Sequence, residues 1–212
     1  MILIGQFDSP FVRRTAIAMR LYGVAFEHRP WSVFAEAEKI ARYNPLMRVP
    51  TLVMDDGLVL IESHAILDAL DHMVGPERAM MPSSGDLRRQ VQKICALATG
   101  MADKAVSLGY ERHVHKRESQ AWVDRCLQQI AGVLSELEAS RESQATEWWF
   151  GEKIGHADIA VACALRFLGD AHAGLFDLPE GWPMLAAHAA KCEALPAFRE
   201  IQQPFSVTPP ST

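Results

Sequence analysis

Residues 49–63 read Val49-Pro50-Thr51-Leu52-Val53-Met54-Asp55-Asp56-Gly57-Leu58-Val59-Leu60-Ile61-Glu62-Ser63. Two apolar runs separated by Asp-Asp-Gly form the pattern of a β-hairpin. Proline is acceptable at the first residue of a strand but poor inside one, so Pro50 opens the first run. Ser63 is expected to cap a helix reaching about residue 73. Moving toward the N-terminus, residues 1–6 read as a strand and Ser9-Pro10 as a helix start, with serine at the N-cap and proline at the first helical position. Val12, Ala16, Ile17, Met19 and Leu21 then cluster at helical spacing, and Gly23 stops that helix. Residues 25–30 can form a second strand, and a weak helix covers about residues 34–43. The order is therefore β-α-β-α-β-β-α. A single sheet built this way must be mixed, because its first two strands are joined by a helical crossover and its last two by a tight turn.

Beyond residues 81–85, a Pro/Ser/Gly linker, the pattern changes to helices. Leu87, Val91, Ile94, Ala98, Met101, Ala105 and Leu108 recur at alternating spacings of four and three, which marks one long amphipathic helix. Val123, Cys126, Ile130, Leu134 and Leu137 mark a second. Residues 159–168 are apolar all round except Arg166, as expected for a buried central helix. Shorter helices at about residues 183–195 and 196–203 follow, and the Pro/Ser/Thr-rich stretch 204–212 reads as loose. The expected domains are residues 1–80 and 86–204. Ahead of the central helix, Gly155 reads as N-cap and Asp158 as the residue at N3, whose carboxylate reaches back to the Gly155 N–H. Ile154 and Ile159 are then placed as a hydrophobic staple.

Composition excludes several classes. With 49% apolar and 22% charged residues the chain is an ordinary globular protein, not a disordered or fibrous one. No apolar run approaches the roughly 18 residues of a membrane span, and no basic segment or cleavage site marks the first residues as a signal peptide. A net charge of −5 with dispersed lysines and arginines gives nucleic-acid binding no support. Cys95, Cys126, Cys163 and Cys192 are widely spaced without a C-x-x-C pair, so no metal site is expected and they read as buried thiols of a cytoplasmic protein. His113 and His115 read as solvated loop histidines.

Three features of the first domain carry candidate chemistry. Ser9 is either a plain N-cap or a hydroxyl donor at a helix N-terminus, where free N–H groups and partial positive charge favour a thiolate. The Val49-Pro50 bond is expected to be trans on sequence alone. If cis, it turns the Val49 N–H and C=O outward, toward an extended peptide ligand. Glu62-Ser63 is either another capped helix or a zwitterion receptor, with the Ser63 hydroxyl and helix amides taking a carboxylate and Glu62 taking the adjacent ammonium.

In order and spacing, Ser9-Pro10-Phe11-Val12-Arg13, Asn44-Pro45, Arg48-Val49-Pro50-Thr51-Leu52, Glu62-Ser63 with Ile66, and Ala157-Asp158 make the chain resemble a cytosolic glutathione transferase from residue 1 to about 203. The resemblance implies a thioredoxin-like α/β domain followed by an all-α domain, a homodimer, glutathione as co-substrate, no metal and a detoxifying role. It implies that Ser9 activates the glutathione thiol, that Val49, before Pro50, pairs with the cysteinyl backbone, that Arg48 approaches the glycyl end, and that Glu62 and Ser63 hold the γ-glutamyl group. It also implies an electrophile site between the domains, with Phe7, Phe11, Met101, Lys104 and Leu108 as candidates, and dimer contacts involving Arg88 and Arg89. Serine in place of cysteine at position 9 disfavours mixed-disulfide chemistry. Gly155 departs from the Ser or Thr usual there, at a stability cost of only a few tenths of a kcal/mol. The alternatives are a glutathione-dependent isomerase, dehalogenase or ether-cleaving enzyme, and a non-catalytic adaptor on the same fold.

Overall fold

A computed structural model of the chain describes residues 1–115 and 119–206. The chain divides into two compact units, residues 1–81 together with the segment from Pro196, and residues 82–195.

The first unit holds a four-stranded sheet of β1 (Ile2–Ile4), β2 (Glu27–Arg29), β3 (Thr51–Val53) and β4 (Val59–Ile61) in the order β2-β1-β3-β4. β1 pairs parallel with β2 and antiparallel with β3, and β3 pairs antiparallel with β4, the mixed sheet that the element order demands. The crossover between β1 and β2 is α1 (Pro10–Tyr22). Ser9 caps it and Pro10 occupies its first turn. Gly23 closes it at φ 70°, a left-handed conformation that lets its N–H reach the last carbonyls. The hairpin turn is held by the Leu58 N–H, which donates to Asp56 Oδ1 at 2.9 Å, and by the Met54 N–H, which donates to the Leu58 carbonyl at 2.8 Å. α2 (Ala37–Ala41) is shorter than the sequence suggests, with Ile40 as its single buried residue. α3 (Ser63–Val74) packs against α1, and Leu3, Ile4, Val12, Ile17, Met19, Leu52, Ile66 and Leu70 form the core of the unit.

The second unit is helical. α4 (Gly85–His113), α5 (Gln120–Glu142) and α6 (His156–Ala171) pack together, and α7 (Leu178–Gly181) and α8 (Pro183–Glu193) complete it. α6 is its centre, with all but four of its residues buried. Asp158 Oδ2 accepts the Gly155 N–H at 2.8 Å, the half of a capping box that a glycine N-cap permits, and Oδ1 accepts the Trp149 N–H at 2.8 Å. The histidine expectation is revised for His113, which ends α4 rather than lying in a loop. His115 lies beyond the helix and is exposed, as expected, with Nδ1 2.6 Å from Glu111 Oε2. All four cysteines are free and buried.

The last helix, α9 (Pro196–Glu200), departs from the expected domain boundary by grouping with the first unit. The reason is electrostatic. Arg13 is buried on α1, and its guanidinium donates to the carbonyls of Ile201 at 2.9 Å and Phe198 at 3.1 Å. Its Cζ also sits 5.5 Å from the centre of the Phe198 ring. A buried guanidinium needs such acceptors, and the turn after α9 supplies them. Of the stretch 204–212, residues 207–212 lie outside the described residues.

Candidate functional site

Ser9 sits at the junction of β1 and α1. Its Oγ accepts the Val12 N–H at 3.4 Å, so the capping role is real and geometrically loose. Capping uses only an acceptor lone pair, which leaves the hydroxyl proton available to a ligand. The N-cap and thiolate-donor readings are therefore compatible.

The loop before Ser9 is fixed by close packing. Gly5 has φ 128°, and a Cβ there would lie 2.5 Å from Val12 Cγ2 and 2.7 Å from Val49 Cβ. No side chain fits between α1 and the segment carrying Val49, so this glycine sets their approach. The Gly5 carbonyl accepts from His28 Nε2 at 2.8 Å, and the Phe7 ring stacks on the His28 imidazole at 3.8 Å and 5°.

The Val49-Pro50 bond is cis, contrary to the trans bond favoured by sequence alone. The β1–β3 ladder ends at the Ile4–Thr51 pair, which leaves Val49 beyond the strand. Two buried side chains hold the loop that leads to it. Asn44 Nδ2 donates to the Arg48 carbonyl at 2.9 Å and to Thr51 Oγ1 at 3.1 Å, and its Oδ1 accepts the Leu46 N–H at 3.0 Å. The Thr51 hydroxyl in turn donates to the Arg48 carbonyl at 3.0 Å. One buried amide thus replaces the hydrogen bonds that a regular strand would supply, as buried backbone groups require.

Glu62 occupies the N-cap of α3 at φ 66° and ψ 124°. This is a correction, because Ser63 was expected at the cap and is instead the first helical residue. The cap carries no side-chain hydrogen bond, and a left-handed φ at a non-glycine residue carries a strain of about 1–3 kcal/mol. The twist places the Glu62 carboxylate 3.3 Å from Arg48 Nη1, with both side chains about half exposed. Ser63 is buried beside the first amides of α3.

The structure thus brings Arg48 and Glu62 into contact and sets Val49 against Gly5, all within the first unit, with Phe7 and Phe11 flanking Ser9 in sequence. The electrophile-site candidates on α4 differ in character. Met101 and Leu108 are 1% and 0% exposed and pack in the core of the helical unit. Lys104 is partly exposed, with its ammonium 5.6 Å from the centre of the Trp122 ring. The dimer candidates are engaged locally, since Arg88 donates to the Pro82 carbonyl at 2.9 Å and Arg89 pairs with Asp86. Sequence reasoning assigned no role to Gly5, to His28 or to the Asn44–Thr51 pair. Their only signals were a glycine ending an apolar run and an Asn-Pro step. Among the described residues no cluster of three or more His, Cys, Asp or Glu side chains is placed to hold a metal ion, and no helix is long and apolar enough to cross a membrane.

This architecture, a mixed four-stranded sheet with a separate helical unit, is matched by known proteins. Residues 3–78 match the glutathione S-transferase N-terminal domain and residues 120–191 the C-terminal domain. The chain is 30% identical over 169 residues to the uncharacterized GST-like protein YibF of Escherichia coli, covering 79% of this chain and 82% of that one. It is 30% identical over 200 residues to a probable glutathione S-transferase, GSTU1, of Oryza sativa subsp. indica, covering 91% and 84%. A crystal structure of a glutathione S-transferase from Methylobacterium radiotolerans, in complex with glutathione sulfonate, superposes with a TM-score of 0.89 at 26% identity, covering 98% of this chain and 96% of that one. The chain belongs to the glutathione S-transferase family.

Proposed function

We propose that the protein is a serine-type glutathione transferase that binds glutathione and stabilises its thiolate for attack on an electrophilic small molecule or a peroxide. Family membership supports the ligand, and the Ser9 geometry supports the mechanism. Glutathione lies extended past the N-terminal end of β3, and its cysteinyl backbone pairs with the N–H and C=O of Val49 beyond the end of the ladder. Its γ-glutamyl carboxylate takes the Ser63 hydroxyl and the α3 amides, where the helix terminus favours an anion. Its ammonium takes Glu62, and its glycyl end takes Arg48.

The chemical demand is modest. A free thiol has a pKa of about 8.5 and is only a few per cent ionised near neutrality. Each unit of depression needs about 1.4 kcal/mol of preferential thiolate stabilisation. A hydrogen bond from the Ser9 hydroxyl to the charged sulfur supplies about 1.5–3 kcal/mol, and the α1 terminus about 0.3–1 kcal/mol. Together they lower the thiol by about one to three units with no protein base, the proton leaving to solvent. With a chloronitroaromatic the sulfur–carbon bond forms, chloride departs and Ser9 remains a donor throughout. Phe7 and Phe11, flanking Ser9, furnish apolar surface for the electrophile. The reading includes a homodimer and a cytoplasmic location, both supported by family membership alone.

The observation that carries the mechanism is the Ser9 Oγ at the α1 N-cap, where it accepts the Val12 N–H and so uses a lone pair rather than its proton. The test is turnover of glutathione with a chloronitroaromatic by wild type and Ser9→Ala, together with titration of the bound thiol. Ser9→Ala is expected to lose about 10- to 100-fold in kcat near neutrality and to raise the thiol pKa. Full turnover with an unchanged titration would exclude Ser9 as the donor.

A further inference from the structure

We propose that Gln203 is a positioning residue for the Ser9 hydroxyl, so that the segment after α9 sets the reactivity of the bound thiol. The inference rests on the role proposed for Ser9 and adds a residue 194 positions away in sequence.

Three contacts tie this segment to both sides of Ser9. Gln203 Oε1 accepts the Phe7 N–H at 2.9 Å, two residues before the serine. The Ser206 N–H donates to Asp8 Oδ2 at 3.2 Å, one residue before it. Arg13, four residues after it, donates to the Ile201 and Phe198 carbonyls. Ser9 itself is held loosely, its Oγ at 3.4 Å from the Val12 N–H and its own N–H at 3.2 Å from the Gln6 carbonyl. The hydroxyl therefore takes its place from the backbone of residues 6–8 more than from its cap. Within that stretch the Phe7 amide has an acceptor supplied from the far end of the chain.

The three contacts differ in kind. Arg13 is buried, and its removal would strand two carbonyls, so it serves stability first. The Ser206 contact is exposed. Gln203 is only partly buried and makes a single neutral hydrogen bond to the loop, so its loss should leave the fold intact and free the loop to shift. A hydrogen bond from Ser9 to sulfur weakens steeply with distance and angle, so a small displacement raises the thiol pKa. Glutathione affinity should change little, because the proposed anchors Arg48, Val49, Glu62 and Ser63 lie on other segments.

The test uses Gln203→Met, which keeps length and shape and removes the acceptor, with Gln203→Ala as a second variant. The titration of enzyme-bound glutathione and the pH profiles of kcat and KM are measured with each. A shift of one unit in the bound thiol lowers kcat by up to about tenfold at a pH below the thiol pKa, and the loss disappears above it, where the thiolate fraction is restored. The KM for glutathione is expected to stay within about twofold. In a Ser9→Ala background the Gln203 variants are expected to add nothing further, because residues acting through one another are not additive. An unshifted titration, a loss of kcat equal at every pH, a lower melting temperature as the sole effect, or a full additional loss in the Ser9→Ala background would each overturn the proposal. If Ser9→Ala alone leaves the thiol titration unchanged, the proposed mechanism fails with it. If Ser9→Ala shifts the titration and Gln203→Met does not, only the role of Gln203 fails.

Discussion

Arg48 Nη1 and Glu62 Oε1 are 3.3 Å apart, with both side chains more than half exposed. The pair joins the loop before the cis-proline to the N-terminus of α3. An exposed pair of this kind contributes about 0–1 kcal/mol, so a ligand bearing both an ammonium and a carboxylate can exchange for it at little cost. Glu62→Gln is accordingly expected to raise the KM for glutathione about tenfold, with kcat within a few-fold and unfolding free energy within about 1 kcal/mol of wild type. Steady-state kinetics and a denaturant titration of the same preparations check this. Salt should weaken glutathione binding to wild type more than to the variant.

Gly5 is expected to be intolerant of any side chain. Its Cβ would meet Val12 and Val49 below 3 Å, and its φ of 128° already disfavours an L-residue. Overpacking and backbone strain together should cost Gly5→Ala about 2–5 kcal/mol. Val49 moves with the clash, so the KM for glutathione should rise as the denaturation midpoint falls. A variant with wild-type stability and KM would show that the two segments separate freely.

Asn44 holds the loop that presents Val49 with three hydrogen bonds from one buried side chain. Asn44→Ala leaves the Arg48 carbonyl with Thr51 alone and the Leu46 amide without this acceptor. A loss of about 2–4 kcal/mol is expected, with a rise in KM exceeding any fall in kcat. Thr51→Val, which removes only one hydroxyl, should show the same pattern at smaller amplitude. Denaturant titration and glutathione kinetics on the two variants decide it.

His188 makes stability depend on pH. It is buried against Trp149, with Nε2 at 3.3 Å from Asp158 Oδ1 and 3.7 Å from Cys192 Sγ. Burial, assisted by the positive charges of Arg141 and Lys191, pushes its pKa down to about 4. The unfolded imidazole titrates near 6.5. The unfolded state therefore binds the extra proton first, and the contribution of His188, complete above pH 6.5, is lost as pH falls toward 4. The loss amounts to about 3 kcal/mol. Asp158 acts in the opposite sense, because burial raises its carboxyl pKa and protonation then favours the folded state. Between about pH 4 and 6.5, His188→Leu should therefore show a flatter dependence of unfolding free energy on pH than wild type. Equal slopes would remove His188 as the cause.

The legibility of the fold follows from how local each signal is. α1 was readable because Ser9, Pro10 and Gly23 each act on their own backbone. The hairpin around Asp55-Asp56-Gly57 was readable for the same reason, and the mixed sheet then followed from connectivity. Asp158 reaches only three residues back, so its role at the start of α6 was also written locally. The chemistry proposed for Ser9, Val49 and Glu62-Ser63 rests on the order of short motifs in the sequence, whereas the supports of those residues were not legible there. Gly5 matters because Val49 lies against it from 44 residues away, and the cis state of Val49-Pro50 belongs to a loop braced by a buried Asn44. α9 had no sequence feature assigning it to either unit until Arg13 supplied a buried charge that needed its carbonyls. Met101 shows the converse, since a helical apolar repeat cannot tell a core position from one lining a pocket, and its burial decides for the core.

By itself, then, the amino-acid sequence determined the elements, their order and the residue types available for chemistry, because caps, turns and periodic apolar faces act within a few residues of backbone. Only the tertiary structure decided which backbone approaches are tight, which side chain occupies the α3 N-cap, and that residues 203 and 206 hold the loop before Ser9. Those outcomes depend on contacts between segments up to about two hundred residues apart, and such contacts exist only once burial has brought the segments together.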